Sequence, residues 1–172
     1  MKIELTRGLV TQVDTEFDFL DQYKWYALKV NTNANFQYYA VRKISINRVQ
    51  SIMYLHRAII EIKLGRPLLR IEQIDHVNHD GLRNTLDNLR IVTSQQNKMN
   101  QRRQNRYTYS QFKGVTYCKN RSKWKAQIQK DGKNMHLGCF VSEKDAAHAY
   151  DTAAKLYFGE YACLNFTEKL EC

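Results

Sequence analysis

Ile74-Asp75-His76-Val77-Asn78-His79-Asp80-Gly81, continued by Asn88-Leu89-Arg90-Ile91-Val92-Thr93-Ser94-Gln95-Gln96-Asn97, is the stretch around which the chain is organised. It sets a carboxylate beside an imidazole. Asn88 follows His76 by twelve residues, and Asn97 follows Asn88 by nine. Residues 70–76 have strand composition, residues 78–81 (NHDG) form a turn or loop, and residues 88–92 (NLRIV) suit a second strand. From Thr93 or Ser94 a polar, helix-compatible stretch begins, with a hydroxyl placed to cap it. The predicted order is strand, loop, strand, helix, with Asn97 in the first helical turn. That order can bring Asp75 and Asn97 together on one hard cation. Mg²⁺ prefers oxygen ligands, usually one or two from protein. Asp75 would supply a charged oxygen and Asn97 a neutral one. His76 leaves its strand on the opposite face from Asp75. It can therefore stay off the metal and serve as a general base near neutral pH. Asn88 can orient His76 or tie the loop.

The composition bounds the partners. The chain has 172 residues, 43% of them hydrophobic, which fits one or two small globular domains. Its formal net charge is +10, which favours a polyanion: DNA, RNA or an anionic surface. No apolar run approaches the roughly 18 residues of a membrane helix. The N-terminus lacks an apolar signal core, so a cytoplasmic protein is expected. The four cysteines, at 118, 139, 163 and 172, form no Cys-x-x-Cys pair, so no zinc is expected and the thiols read as reduced. The first three read as small buried hydrophobes and Cys172 as exposed.

Residues 3–13 read as two short strands around Arg7-Gly8, and Asp14–Asp21 as a turn or short helix. Residues 23–30 and 36–46 are aromatic and β-branched, with a turn-like Asn31–Asn35 between them. A small antiparallel sheet is expected over residues 1–50. Trp25, Tyr26, Tyr38 and Tyr39 suit core packing or base stacking, and Arg42, Lys43 and Arg48 a solvated face or phosphates. Residues 53–64 carry Leu55, Ile59 and Ile62 at helical spacing, with Ala58 beside them. Gly65 and then Pro67, the only proline, stop that helix. His56 beside this stripe is ordinarily a packed, hydrogen-bonded histidine.

Residues 98–110 (KMNQRRQNRYTYS) hold four basic residues and no acid. Arg102, Arg103 and Arg106 read as contacts of a DNA-tracking linker. Residues 112–118, 123–130 and 134–140 predict three strands. In the second, Trp124, Ala126 and Ile128 alternate with Lys123, Lys125, Gln127 and Gln129. Asp131-Gly132 signals a hairpin, and Ser142-x-x-Asp145 a capping box opening a helix that ends before Gly159. Residues 113–133 contain seven basic residues and one acid, whereas residues 142–160 have two more acids than bases. The outer face of the sheet is thus the expected nucleic-acid surface, with the helix behind it.

Residues 74–97 closely resemble the HNH motif of phage and mobile-intron homing endonucleases, in the variant whose third signature residue is asparagine. Ile3–Gly8, Lys24-Trp25-Tyr26, Tyr39–Arg42 and Leu55-His56-Arg57 extend the resemblance. It implies a ββα-metal core in which Asp75 and Asn97 bind Mg²⁺ (Mn²⁺ can substitute), His76 is the general base and Asn88 is the middle signature residue. His79 reads as a loop residue or a phosphate contact. Residues 112–166 resemble the Apetala-type, or ethylene-response-factor, DNA-binding domain. The matching pieces are Phe112–Val115, Trp124–Ile128, Leu137–Phe140, Ala146–Asp151 and Leu164-Asn165-Phe166. By matched position its DNA contacts fall on Lys113, Thr116, Lys119, Arg121, Gln127, Gln129 and His136, with Trp124 on sugar-phosphate or in the core.

An α+β chain is therefore expected. It comprises an HNH nuclease domain over 1–97 (N-terminal sheet 1–50, ββα-metal core 52–97), a basic helix end and linker over 98–110, and a three-stranded antiparallel sheet packed on one helix over 111–172. The implied function is a Mg²⁺-dependent, site-directed DNA endonuclease of the homing type in a phage or bacterial host cell. Double-stranded DNA is the partner, with no membrane and no protein partner evident. One site per chain suits a nick by a monomer or a double cut by a dimer, and a monomer is favoured. The alternatives are a non-enzymatic DNA-binding regulator of the same architecture and an RNA-binding protein. The intact Asp75, His76 and Asn97 argue against the first. The lack of an RNA-recognition aromatic motif argues against the second.

Overall fold

Residues 1–31, 36–102 and 109–166 are described by a computed structural model, with the side chain of Ile46 excepted. The chain divides into two compact units, residues 1–97 and 98–172. It is an α+β protein of small sheets and three α-helices among the described residues. None of these helices is long and apolar enough to cross a membrane.

The first unit runs β1 (Lys2–Glu4), β2 (Val10–Val13), β3 (Tyr26–Asn31), β4 (Phe36–Ile46), β5 (Val49–Tyr54), α1 (Leu55–Leu64), β6 (Gln73–His76), β7 (Arg83–Asn84), β8 (Leu89–Val92) and α2 (Ser94–Asn100), which crosses into the second unit. Thr15–Gln22 form a 3-10 helix. The single N-terminal sheet expected over residues 1–50 is instead two sheets. β1 pairs β2 antiparallel, and β2 then pairs β7 in parallel. β3, β4 and β5 form a separate antiparallel meander.

Strand β5 takes residues that the helical reading had begun to claim, because Asn47 and Arg48 turn the chain back with φ of 50° and 67°. Both central residues of such a tight turn need positive φ, which is uncommon outside glycine and asparagine. Helix α1 starts at Leu55 and ends at Gly65, whose φ of 64° makes it the left-handed cap. It buries Leu55, Ala58, Ile59 and Ile60. Ile62, expected in the stripe, is 46% exposed. By helical periodicity Ile62 shares the arc of Leu55 and Ala58, so its exposure follows from its place in the last turn, beside the exposed Lys63 and Leu64. Leu55 and Ile59 join Ile3, Val13, Phe17, Trp25 and Leu89 in one core. Trp25 is 3% exposed and donates its indole N–H to the Leu20 carbonyl, so it packs inside. Fully burying a residue of this size contributes roughly 1.5–3 kcal/mol.

The second unit contains β9 (Val115–Cys118), β10 (Lys123–Lys130), β11 (Lys133–Phe140) and α3 (Glu143–Phe158). The sheet order is β11-β10-β9, antiparallel throughout. Asp131 and Gly132, with φ of 50° and 76°, make the expected hairpin turn. The register skips Leu137, which bulges inward beside Ile128 and Ala126. Ser142 Oγ accepts the Asp145 N–H, as the capping box requires. Ala146, Ala147, Tyr150, Ala153 and Ala154 are buried, so small side chains let α3 lie close on the sheet.

Buried Asp151 closes this unit. Its carboxylate accepts the Asn165 and Phe166 backbone N–H groups and the Asn165 amide. Asn165 in turn bonds the Lys113 N–H and carbonyl, tying the chain end to the start of β9. Asp151→Ala leaves three donors without their acceptor and is expected to destabilise the unit by about 2–4 kcal/mol. Urea unfolding combined with hydrogen exchange at the Asn165 amide checks this. A loss below about 0.5 kcal/mol, the range of an ordinary surface change, would contradict it.

Candidate active site

Alternation along β6 decides which side chains meet. Asp75 pairs with Arg90 and Gln73 with Val92, so these four lie on one face of the β6–β8 ribbon. Ile74, His76, Leu89 and Ile91 lie on the other, against the core. Asp75 is 7% exposed, and Arg90 grips its Oδ2 through Nε at 2.9 Å and Nη2 at 2.8 Å. The half-buried Asn97 donates its amide to Gln73 Oε1 at 2.9 Å. Asn97 therefore stands over the face that carries Asp75. The side chains gathered there, a carboxylate and two carboxamides, offer oxygen donors that fit a hard divalent cation.

His76 is 6% exposed and sits among rings. The His56 ring meets it edge-on at 5.1 Å between centroids, and Tyr39 lies 6.0 Å away. Its Nε2 is 3.0 Å from Asn84 Oδ1. Burial lowers the His76 pKa, while the Asn84 bond and the Asp75 and Asp80 charges oppose that shift. His76 is thus an uncharged imidazole at neutral pH, the form a base requires. Tyr39 is pushed up by burial, then by Tyr54 and Asp75, and stays a neutral phenol.

Of the two roles open to Asn88, its hydrogen bonds serve the loop. Its Oδ1 accepts the Asn78 N–H at 3.0 Å, and its Nδ2 donates to the Arg83 carbonyl at 2.7 Å. Asn78 and Asp80 each accept a backbone N–H two residues on, which shapes the turn. His79 has φ of 64°, and its carbonyl accepts Gln37 Nε2. Gly81 packs so closely that a Cβ there would stand 2.7 Å from the Tyr39 ring. A side chain at 81 would push the loop off Tyr39 and disturb the wall behind His76.

Sequence reasoning missed Asn84 and His56 as neighbours of His76. Asn84 lies in the two-residue strand β7, between β6 and β8, and only the parallel pairing of β7 with β2 fixes its direction. His56 carried a signal in its place beside an apolar helical stripe. Burial, followed by His76 and Arg57, pushes its pKa down to about 3. The unfolded chain therefore takes up a proton near pH 6.5 that the folded chain refuses until about pH 3. Stability from this group is full above 6.5 and falls as pH drops through that window, by about 1.4 kcal/mol per unit. Acidification to about pH 5 is expected to destabilise the first unit by ~2 kcal/mol. His56→Phe should flatten that slope in urea titrations run across pH. A variant slope equal to that of the native chain would contradict the assignment.

The second unit presents the other candidate surface. Thr116, Lys125 and Cys139 form one row across the outer face, followed by Gln127 with His136, then Gln129 with Asn134. Cys118 and Lys123 complete it. Lys119 and Arg121 occupy the exposed 3-10 turn beside it. Arg121 Nη1 lies 4.0 Å and His136 Nε2 3.8 Å from Cys139 Sγ. Cys118, Cys139 and Cys163 are half-buried, where buried cysteines were expected, and the first two lie on this outer face. Trp124 lies on the opposite, helix-facing side, 4.9 Å from Tyr117. Lys113 turns inward, its Nζ donating to the Met99 and Gln101 carbonyls at 2.8 and 2.6 Å. Burial lowers its pKa. Arg102 is exposed, whereas Arg103 and Arg106 lie outside the described residues, as does Cys172. Lys123 and Lys125 share the outer face, as the alternation of β10 predicts, although the positions matched to the Apetala-type domain did not include them, and Asn134 joins them.

Residues 53–99 match the family model described as HNH endonuclease. An uncharacterised HNH endonuclease of Acanthamoeba polyphaga mimivirus is 30% identical over 150 residues, covering 87% of this chain and 71% of that protein. These matches define the class as a nuclease. The chain belongs to the HNH endonuclease family. Partial matches support a further, AP2-like region. An AP2-like ethylene-responsive transcription factor of Arabidopsis thaliana is 40% identical over 65 residues, 38% of this chain and 13% of that protein. An APETALA2-like protein of Oryza sativa subsp. indica is 40% identical over 65 residues, 38% of this chain and 15% of that protein. Nuclease and AP2-like relatives together imply binding to DNA.

Proposed function

We propose that the chain is a site-directed endonuclease of the homing type, in which residues 1–97 cut and residues 111–172 supply most of the affinity and specificity. The observation that carries this reading is the split of Asp75 and His76 to opposite faces of one short strand. Asn97 stands on the Asp75 side. Asp75 and Asn97 would hold Mg²⁺, with Mn²⁺ able to replace it. When bound, the cation would offset the negative charge that develops at the scissile phosphate and the leaving 3′ oxygen. His76 takes the proton of the attacking water as the new P–O bond forms and the P–O3′ bond breaks. Arg90 holds the Asp75 carboxylate in position. Asn88 braces the loop that joins β6 to β8. A monomer carrying one such site nicks one strand per encounter.

The test is cleavage of duplex DNA by the purified chain. Scission should require Mg²⁺ or Mn²⁺, stop with chelator and leave a 3′ hydroxyl. Undiminished cleavage in chelator would refute the metal role.

The outer face of the β9–β11 sheet is the proposed reading surface, through Thr116, Lys125, Gln127, Gln129 and His136. Lys119 and Arg121 grip phosphates beside it, and Arg102, Arg103 and Arg106 do so along the linker. Trp124 supports the sheet from the helix side, and Lys113 ties the linker end to it. Replacing Lys119 or Arg121 by alanine should weaken binding evenly across sequences and lower the salt slope by about one. Replacing Gln127 or Gln129 should instead relax sequence preference. Gel shifts over a salt series separate the two. Equal effects at both pairs would contradict the assignment.

A further inference from the structure

The carboxamide bonded to His76 Nε2 is Asn84, which is fully buried, as is Thr11 across the short parallel pair. Thr11 Oγ1 donates to the Leu82 carbonyl at 2.7 Å. A hydroxyl has one proton. With that proton committed, Oγ1 can only accept from Asn84. The Asn84 atom that faces it at 2.7 Å is therefore the amide Nδ2, which also reaches the Gly81 carbonyl at 3.4 Å. The other amide atom, Oδ1, then faces His76 Nε2 at 3.0 Å. A carbonyl oxygen cannot donate, so the ring nitrogen facing it must carry the proton. Amide and imidazole orientations are ordinarily open to reversal. Here the series starts from a backbone carbonyl, which only accepts, and it runs in one direction.

We propose that Thr11 and Asn84 are positioning residues that lock neutral His76 as its Nε2–H tautomer, so that Nδ1 is the atom that takes the proton from water. The proposal rests on the reading of His76 as the base. It adds which of the two ring nitrogens works and what selects it. The backbone holds the lock in register: β7 pairs Gln12 with Arg83 and Val13 with Asn84, and Gln12 N–H donates to the same Leu82 carbonyl. Neither residue faces the metal-binding side of β6.

The test is nitrogen NMR of the full chain with labelled histidine, without DNA, at a pH where the ring is neutral. His76 is expected to show a protonated Nε2 and an unprotonated Nδ1. Thr11→Val is isosteric but removes the acceptor, and it should give mixed tautomers. Its kcat should fall about 10- to 100-fold with KM within about twofold of the native value, and Thr11→Ser should restore both. A native spectrum with the proton on Nδ1 overturns the proposal even if Thr11→Val fails to fold. So does a folded Thr11→Val variant with native kcat. Because the spectrum is read on the free protein, the two failures separate. A proton on Nδ1 alongside an inactive His76→Ala variant sinks the lock alone. Full activity in His76→Ala sinks the base assignment beneath it.

Discussion

His76→Ala is expected to lower the cleavage rate by roughly 10²- to 10⁴-fold, the range a positioned general base contributes. Binding to DNA should be nearly unchanged, because the proposed affinity resides in the second unit. The substitution also removes a ring from a packed site beside His56 and Tyr39. Some stability is therefore lost, and circular dichroism must confirm that the variant folds. His76→Gln fills more of the space and serves as the control. Single-turnover rates on a nicking substrate, read beside a gel shift, give both quantities. Wild-type rates in a folded variant would remove His76 from the chemistry.

Asp75→Asn should abolish cleavage as completely, for a different reason. The substitution keeps shape and burial but removes the one carboxylate on the Gln73–Asn97 face of β6. Metal affinity should fall with it, as titration of Mn²⁺ by paramagnetic relaxation would show. The variant also leaves Arg90 without its anionic partner in a site where the side chains are only 8% and 15% exposed. Breaking a buried pair by removing one member costs about 3–5 kcal/mol, and this pair, near the surface, should lie toward the low end. Loss of cleavage with unchanged Mn²⁺ binding would show that Asp75 acts structurally. Loss of both supports its place at the cation.

The two tight hairpins show which local signals a sequence exposes. Asp131-Gly132 pairs a residue tolerant of positive φ with glycine and was legible at once. Asn47-Arg48 makes a similar turn with an arginine at φ 67°, which nothing local marks, so β5 is not legible as a strand and its last two residues, Met53 and Tyr54, read as helix. The capping box at Ser142 and the glycine stop at Gly65 are short-range devices, and both were visible. The β2–β7 pairing was not. It joins residues about seventy positions apart through a strand of only two residues. The contacts of Thr11 with Asn84, and of Asn84 and His56 with His76, follow from that pairing and from the α1 packing. The alternation of Asp75 and His76 needed only the period of a strand. Which carboxamide reaches His76 needed the folded chain, because Asn84 and Asn88 are equally plausible by spacing.

The most direct measurement is incubation of the purified chain with Mg²⁺ and genomic DNA from its source, followed by mapping of every new end. Breaks clustered at one or a few sites, with 3′ hydroxyl ends and absent from parallel His76→Ala reactions, are the predicted result. No breaks, or the same ends from the His76→Ala protein, would contradict the account.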